Sequence, residues 1–160
     1  MTKVSNVILY MLHKEVKHLN DKKASIMLFL MDYNHKKFCG EKIFNDEYIK
    51  SARNPEPVVL SELFDIIANS EDLEEDDARI FLIQELLDYL DIESIANDKF
   101  IELKFIKMEE EYDETLFSKD ELKTIHKIVT QYKDTSARNL ANDCFKIEEV
   151  RATPKGEIII

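Results

Sequence analysis

Four histidines and two cysteines are the residues of this chain best suited to metal ligation or nucleophilic chemistry. His35 and Cys39 stand four apart, a spacing that places two side chains on one helix face. Imidazole with thiolate is a zinc-type pair, yet a structural zinc site takes four ligands and a catalytic one three, and no third follows nearby. His13 and His18, five apart, diverge on a helix, and His126 lies among Lys123 and Lys127 on a face read as solvated. Cys39 and Cys144 form no CxxC pair and are expected to be reduced thiols. A Cys–His nucleophile would have to be assembled in space, and no local signature announces one. The acidic runs, Glu74 to Asp77 and Glu109-Glu110-Glu111, supply carboxylates but no spacing that sets one carboxyl against another as acid and base. The reading is therefore of a non-enzyme with no catalytic residue, no metal and no cofactor.

The elements that would position any site are organised around residues 22–40, KKASIMLFLMDYNHKKFCG. Ala24, Met27, Leu28 and Met31 recur at helical spacing, and Ile26, Phe29, Leu30 and Tyr33 widen the stripe until it covers most of the circumference. A helix apolar nearly all round belongs inside. Its apolar run of roughly 12 residues is short of the roughly 20 that a bilayer needs, and Asp32, Lys36 and Lys37 close it, so no membrane span is expected. Before it, residues 4–16 place Val4, Val7, Ile8, Met11 and Leu12 on one face, with Asn20-Asp21 as turn and cap.

After Gly40, residues 41–59 suit two small extended pieces around an Asn45-Asp46 turn. Pro55 and Pro57 hold their predecessors extended, so the next helix starts near Val58, with Leu60, Leu63, Phe64 and Ile67 inward. Residues 70–77 form an acidic turn and helix start. Residues 78–90 carry more apolar positions than one stripe, which predicts a helix that is sandwiched or touches a partner. Residues 99–107 alternate Ile101, Leu103 and Phe105 against Glu102 and Lys104, a strand with one buried face. Ser118-Lys-Asp-Glu121 is a capping box opening a helix through Leu122, Ile125, Ile128, Val129 and Tyr132. A short helix over 137–145 and a terminal strand ending in three isoleucines complete the chain. The expected fold is mainly α with a small antiparallel β-sheet (α+β), a compact single-domain helical bundle over residues 1–160. The sheet is expected to combine residues 43–51, 99–107 and the tail.

Composition bounds the partners. With 33 acidic against 22 basic residues the net charge is −11, which repels phosphate backbones and attracts basic surfaces. Nucleic acid is thus not expected as a direct ligand. Two glycines and three prolines leave no room for Gly-rich phosphate loops. Met1-Thr2-Lys3 runs into an amphipathic helix with no apolar leader, so the expected compartment is the cytoplasm.

The central apolar helix with its charged turn and Gly40, followed by YIKSARNPEPV over residues 48–58, resembles the Panacea domain, also described as SocA-like or phage-associated. Leu116-Phe-Ser-Lys-Asp-Glu121, then Tyr132, then Thr135-Ser-Ala-Arg-Asn-Leu140 is similar to that domain's late helix, tyrosine, serine-alanine and leucine pattern. Ala152-Thr153 and Gly156-Glu157 match its closing threonine and glycine-glutamate. The chain departs from the pattern at Glu56-Pro57, where the family has Gly-Pro, and at Phe145 and Val150, where it often shows histidine and tryptophan. The resemblance implies an antitoxin-like module that binds and neutralises a toxin encoded beside it. The competing expectations are a phage-associated regulatory or adaptor protein with a different protein partner, and a hydrolase without a visible motif.

A partner needs anchors that the core does not consume. Two regions are expected to offer them: Tyr48, Arg53, Pro55 and Pro57 on a proline-stiffened segment, and Glu74, Glu75, Asp76 and Asp77 at the start of the broad apolar helix, where they could steer a basic toxin. A second copy of the chain, forming a homodimer, is the alternative occupant.

Overall fold

The computed structural model describes residues 1–109 and 111–160, so the middle residue of the Glu109-Glu110-Glu111 triplet lies outside the described residues. The described chain is α+β, with seven α-helices and two two-stranded antiparallel sheets. The second helix, α2 (Asp21–Cys39), is the axis, as its apolar run requires: Ala24 through Asp32 are all buried. Asn20 caps it, its side chain accepting from Lys23 N at 2.9 Å. Gly40 closes it at φ +84°, the left-handed conformation that spares glycine a Cβ clash. Against α2 pack α5 (Lys119–Tyr132) and α6 (Ala137–Phe145), while α1 (Thr2–His13) lies on residues 79–86 and 101–107, all sharing one hydrophobic cluster. Ser118 and Glu121 form the reciprocal capping box at the head of α5, as their spacing predicts. The short α7 (Glu148–Ala152) buries Val150.

The first sheet is a hairpin of β1 (Tyr48–Ser51) and β2 (Asn54–Pro57), in register Tyr48↔Pro57 and Ser51↔Asn54. The strands turn at Ala52-Arg53, with Ala52 at φ +51°, and not at the Asn45-Asp46 site expected from sequence. The reason is that Asp46 has other work, described below, and that both prolines fit β2. Their missing N–H groups fall at positions facing away from β1. The tail lines the opposite side of β1: Tyr48 N donates to Ile160 O at 2.9 Å and Ile159 N to Tyr48 O at 2.7 Å. It thus extends this sheet, as expected, through an isolated bridge of Ile49 with Ile158.

The second sheet corrects two further expectations. Residues 101–107 (β4, Ile101–Lys107) pair not with the first hairpin but with β3 (Leu90–Ala96), in register Leu90↔Lys107 through Ala96↔Ile101. The helix expected over residues 78–90 is shorter, α4 (Arg79–Leu86), because Leu90 and Ile92 already point to one side of a strand. Nor is α4 sandwiched: Leu86 is its one buried residue and Phe81 is 63% exposed. Between the sheets runs α3 (Val58–Ala68), starting directly after Pro57 as predicted. No described helix is long and apolar enough to cross a membrane.

Candidate functional site

Two carboxylates fix the approach to the first hairpin. Asp32, buried on α2, accepts from Ile43 N, from Phe44 N at 3.1 Å and from Tyr48 Oη at 2.6 Å. Burial pushes its pKa up despite those donors, and pushes Tyr48 well above the usual tyrosine value, with the Asp32 charge adding to the effect. Asp46 accepts from Val59 N at 3.0 Å and Leu60 N at 3.1 Å. It satisfies the first amides of α3, a helix whose preceding residue, Pro57, has no side chain to do so. The loop from 40 to 47 is thereby held at both ends, and the hairpin is delivered to the head of α3.

The expected partner residues divide on this frame. Tyr48 is 1% exposed and Pro55 and Pro57 are buried, so all three build the hairpin from within. Here the sequence expectation is corrected: the domain consumes Tyr48 because Asp32 gives its hydroxyl a buried acceptor. Arg53 is exposed at the turn, its guanidinium 4.4 Å from the Phe145 ring centroid. Glu74, Glu75 and Asp76 are exposed in the loop before α4. Asp77 is engaged: Arg79 Nη2 donates to it at 2.7 Å and Nη1 to Glu62 at 2.7 Å, holding the Asp77 carboxyl down to about 2. The two groups are not adjacent. Arg53 lies at the hairpin turn before α3, whereas Asp77 is tied through Arg79 to Glu62 within α3.

What the sequence left unseen is a cavity of about 390 Å³ beside the first hairpin, walled by the first turns of α2, the tip and outer strand of the hairpin, and α3. Three carboxylates reach it from separate elements, Asp21, Glu56 and Asp65. Burial raises the pKa of Asp21 and of Asp65, and the charges of Glu56 and Glu71 raise Asp65 further. None of the three is in an ion pair among the described residues. Lys22 also lines the cavity, but its ammonium lies over the Phe100 ring, 4.3 Å from the centroid. Individually these residues carry no sequence signal, since four different elements bring them together.

The nucleophile and metal candidates do not assemble. His35 is buried with Nδ1 donating to Glu41 O at 2.7 Å, whereas Cys39 is exposed. Cys144 is buried and its thiol is pushed up to about 12, which keeps it protonated and unreactive. Among the described residues no three His, Cys, Asp or Glu side chains could hold a metal ion.

Residues 27–146 match the family model of the antitoxin SocA-like, Panacea domain, three quarters of the chain. The chain belongs to the Panacea family. The match begins within α2 and ends just after α6, so this Panacea protein adds α1 and the β1-pairing tail around the matched segment. Searches of curated proteins and of solved structures return no match. The family is that of antitoxins, whose partners in general are toxin proteins.

Proposed function

We propose that this Panacea protein neutralises a cognate protein toxin by direct contact, and that residues 1–160 act as a single domain in doing so. Family membership carries the reading. The net charge of −11 supports it by favouring encounter with a basic partner. The docking regions are Arg53 at the hairpin turn and Glu74, Glu75 and Asp76 in the exposed loop before α4. The protein works in the cytoplasm, where a toxin encoded beside it would be made.

Co-expression with each flanking reading frame tests this. One frame should arrest growth when expressed alone, and the arrest should be relieved, with co-purification, when this protein is present. Relief without a stable complex, or no relief for any neighbouring frame, sinks the proposal. Nucleic acid is not the ligand on this reading, because the clustered basic residues in sequence are only pairs such as Lys22-Lys23 and Lys36-Lys37. Duplex DNA at physiological salt should give no salt-sensitive mobility shift with the isolated protein.

A further inference from the structure

We infer, on the reading above that the partner is a protein, that the free edge of β3 receives an extended segment of that partner as an added antiparallel strand in which basic residues alternate with others. The two sheets have four outer edges between them, and three are closed. The tail runs along β1, and β2 carries Pro55 and Pro57 at its outward positions. On β4, Leu103 N donates to Asp21 at the head of α2 at 3.2 Å, and α1 packs against the same strand. The edge of β3 is left open: residues 93–96 are all exposed, and no proline interrupts the strand.

The ladder fixes which groups β3 offers. Asn97 N donates to Phe100 O and Met108 N to Tyr89 O, so the residues of β3 that bond to β4 are Asp91, Glu93 and Ile95. The backbone groups of Ile92, Ser94 and Ala96 therefore point away from β4. Ile92 N is occupied, donating to the Asp91 side chain at 2.8 Å. Ser94 N and Ala96 N remain as donors, with the carbonyls of Ile92, Ser94 and Ala96 as acceptors, and no backbone group outside the hairpin bonds to them among the described residues.

Charge decides which strand fits. Asp91, Glu93 and Ile95 share one face of the sheet, and Lys104, across the ladder from Glu93, forms no ion pair with it among the described residues. A second copy of this chain, laid antiparallel with Ser94 opposite Ser94, puts each Glu93 on the diagonal of its twin, and a slip that sets Glu93 against Glu93 is worse, since like charges across a ladder destabilise it. The net charge of −11 on each copy adds to the repulsion. A strand with lysine or arginine opposite Asp91 and Glu93, and an apolar side chain opposite the 39% exposed Ile95, meets complementary groups at all three positions. Read from its own N-terminus it runs apolar, any, basic, any, basic. Its main chain supplies the affinity and its alternate side chains the selectivity.

The full chain is titrated with the capped peptide Thr-Ile-Thr-Lys-Thr-Arg-Thr and followed by two-dimensional amide NMR and hydrogen exchange. Parallel titrations use the same peptide N-methylated at its central threonines, whose amides would face β3, and a version with glutamate in place of lysine and arginine. The basic peptide should give saturable shifts at residues 92–96, with Kd on the order of 1 mM, and should slow exchange of the Ser94 and Ala96 amides. The N-methylated peptide should not saturate, and the glutamate peptide should bind at least about tenfold more weakly. Ser94→Pro removes a donor that faces away from β4 and no bond of the ladder, and should weaken the basic peptide by about tenfold or more. If that variant loses its native spectrum, Glu93→Lys, at an exposed position, makes the comparison and should cut the preference for the basic over the glutamate peptide by about threefold or more. No saturation by the basic peptide, equal binding of all three, shifts centred elsewhere, or full binding by Ser94→Pro overturns the inference. So does a dimer in sedimentation that Ser94→Pro dissolves, which gives the edge to a second copy. The toxin reading is decided separately by co-expression. Neutralisation that survives Ser94→Pro, with a silent basic peptide, removes the strand site and leaves the antitoxin. Peptide binding with no neutralised neighbour does the reverse.

Discussion

The two hairpins of this protein have the same topology and opposite means of support. The first, β1–β2, is held from inside by polar groups: a tyrosine on a buried aspartate, a loop carboxylate on the head of α3, and the tail along its free side. The second, β3–β4, is held chiefly by an apolar inner face, with Leu103 N donating to Asp21 at 3.2 Å as a lesser polar tie. Leu90, Leu103 and Phe105 are buried, with Phe105 5.8 Å from Phe64 between ring centroids, while Ile95, Phe100, Ile101, Ile106 and Met108 remain exposed. Polar anchoring specifies one position for the first hairpin, because each buried donor or acceptor costs free energy if it shifts off its partner. Apolar anchoring of the second tolerates sliding better and leaves surface residues free to vary.

Removing the support common to both should have the largest effect. Leu28 is buried on α2, which contacts β2 and β4 alike. Leu28→Ala should cost about 2 to 5 kcal/mol through lost transfer energy and a residual cavity. Chemical denaturation measures this, and a loss under about 1 kcal/mol would make α2 peripheral. Tyr48→Phe should separate the hairpins. It deletes the donor to Asp32 and should cost about 1 to 3 kcal/mol, with amide exchange accelerated in β1–β2 and unchanged in β3–β4. Equal acceleration in both would show that the first hairpin has no polar anchor of its own. Ile106→Thr, on the exposed face of the second hairpin, should stay within about 0.5 kcal/mol by the same denaturation assay.

The smallest effect is one of pH, and its sign follows from burial. Asp32 has a folded pKa above its ordinary value of 3.8, so the native state holds that proton more tightly than the unfolded chain does. The stabilisation is complete below 3.8 and is lost as pH rises through the elevated folded value. Protection of β1–β2 amides, corrected for intrinsic exchange, should therefore decline over that interval and then level off. A first hairpin that gains protection as pH rises would reverse the assignment.

Much of the frame was legible because its signals are local. The stop at Gly40, the start of α3 after Pro57, the capping box of Ser118 and Glu121, and the helix over 137–145 each depend on residues a few positions apart. Strand β3 was hidden because Leu90 and Ile92 follow an apolar helix with no glycine or proline between, so a change from helical to alternating period passes unmarked. Tyr48 was read as an anchor for a partner because its own partner, Asp32, stands 16 residues earlier on another element. The cavity was illegible for the same reason. Asp21, Ser25, Asn54 and Asp65 come to line one space only when α2, the hairpin and α3 are brought together.

The prolines of β2 have a consequence outside the folded monomer. In the register Tyr48↔Pro57 and Lys50↔Pro55, the outward positions of β2 are those that would supply N–H donors to a further strand, and both are proline. The inward side of the sheet is already closed by the tail. An extended segment of another chain therefore finds acceptors along β2 but none of the donors needed to continue a ladder. The sheet ends after three pieces of chain, and this face of the molecule is protected against edge-to-edge aggregation even when the protein is produced in excess.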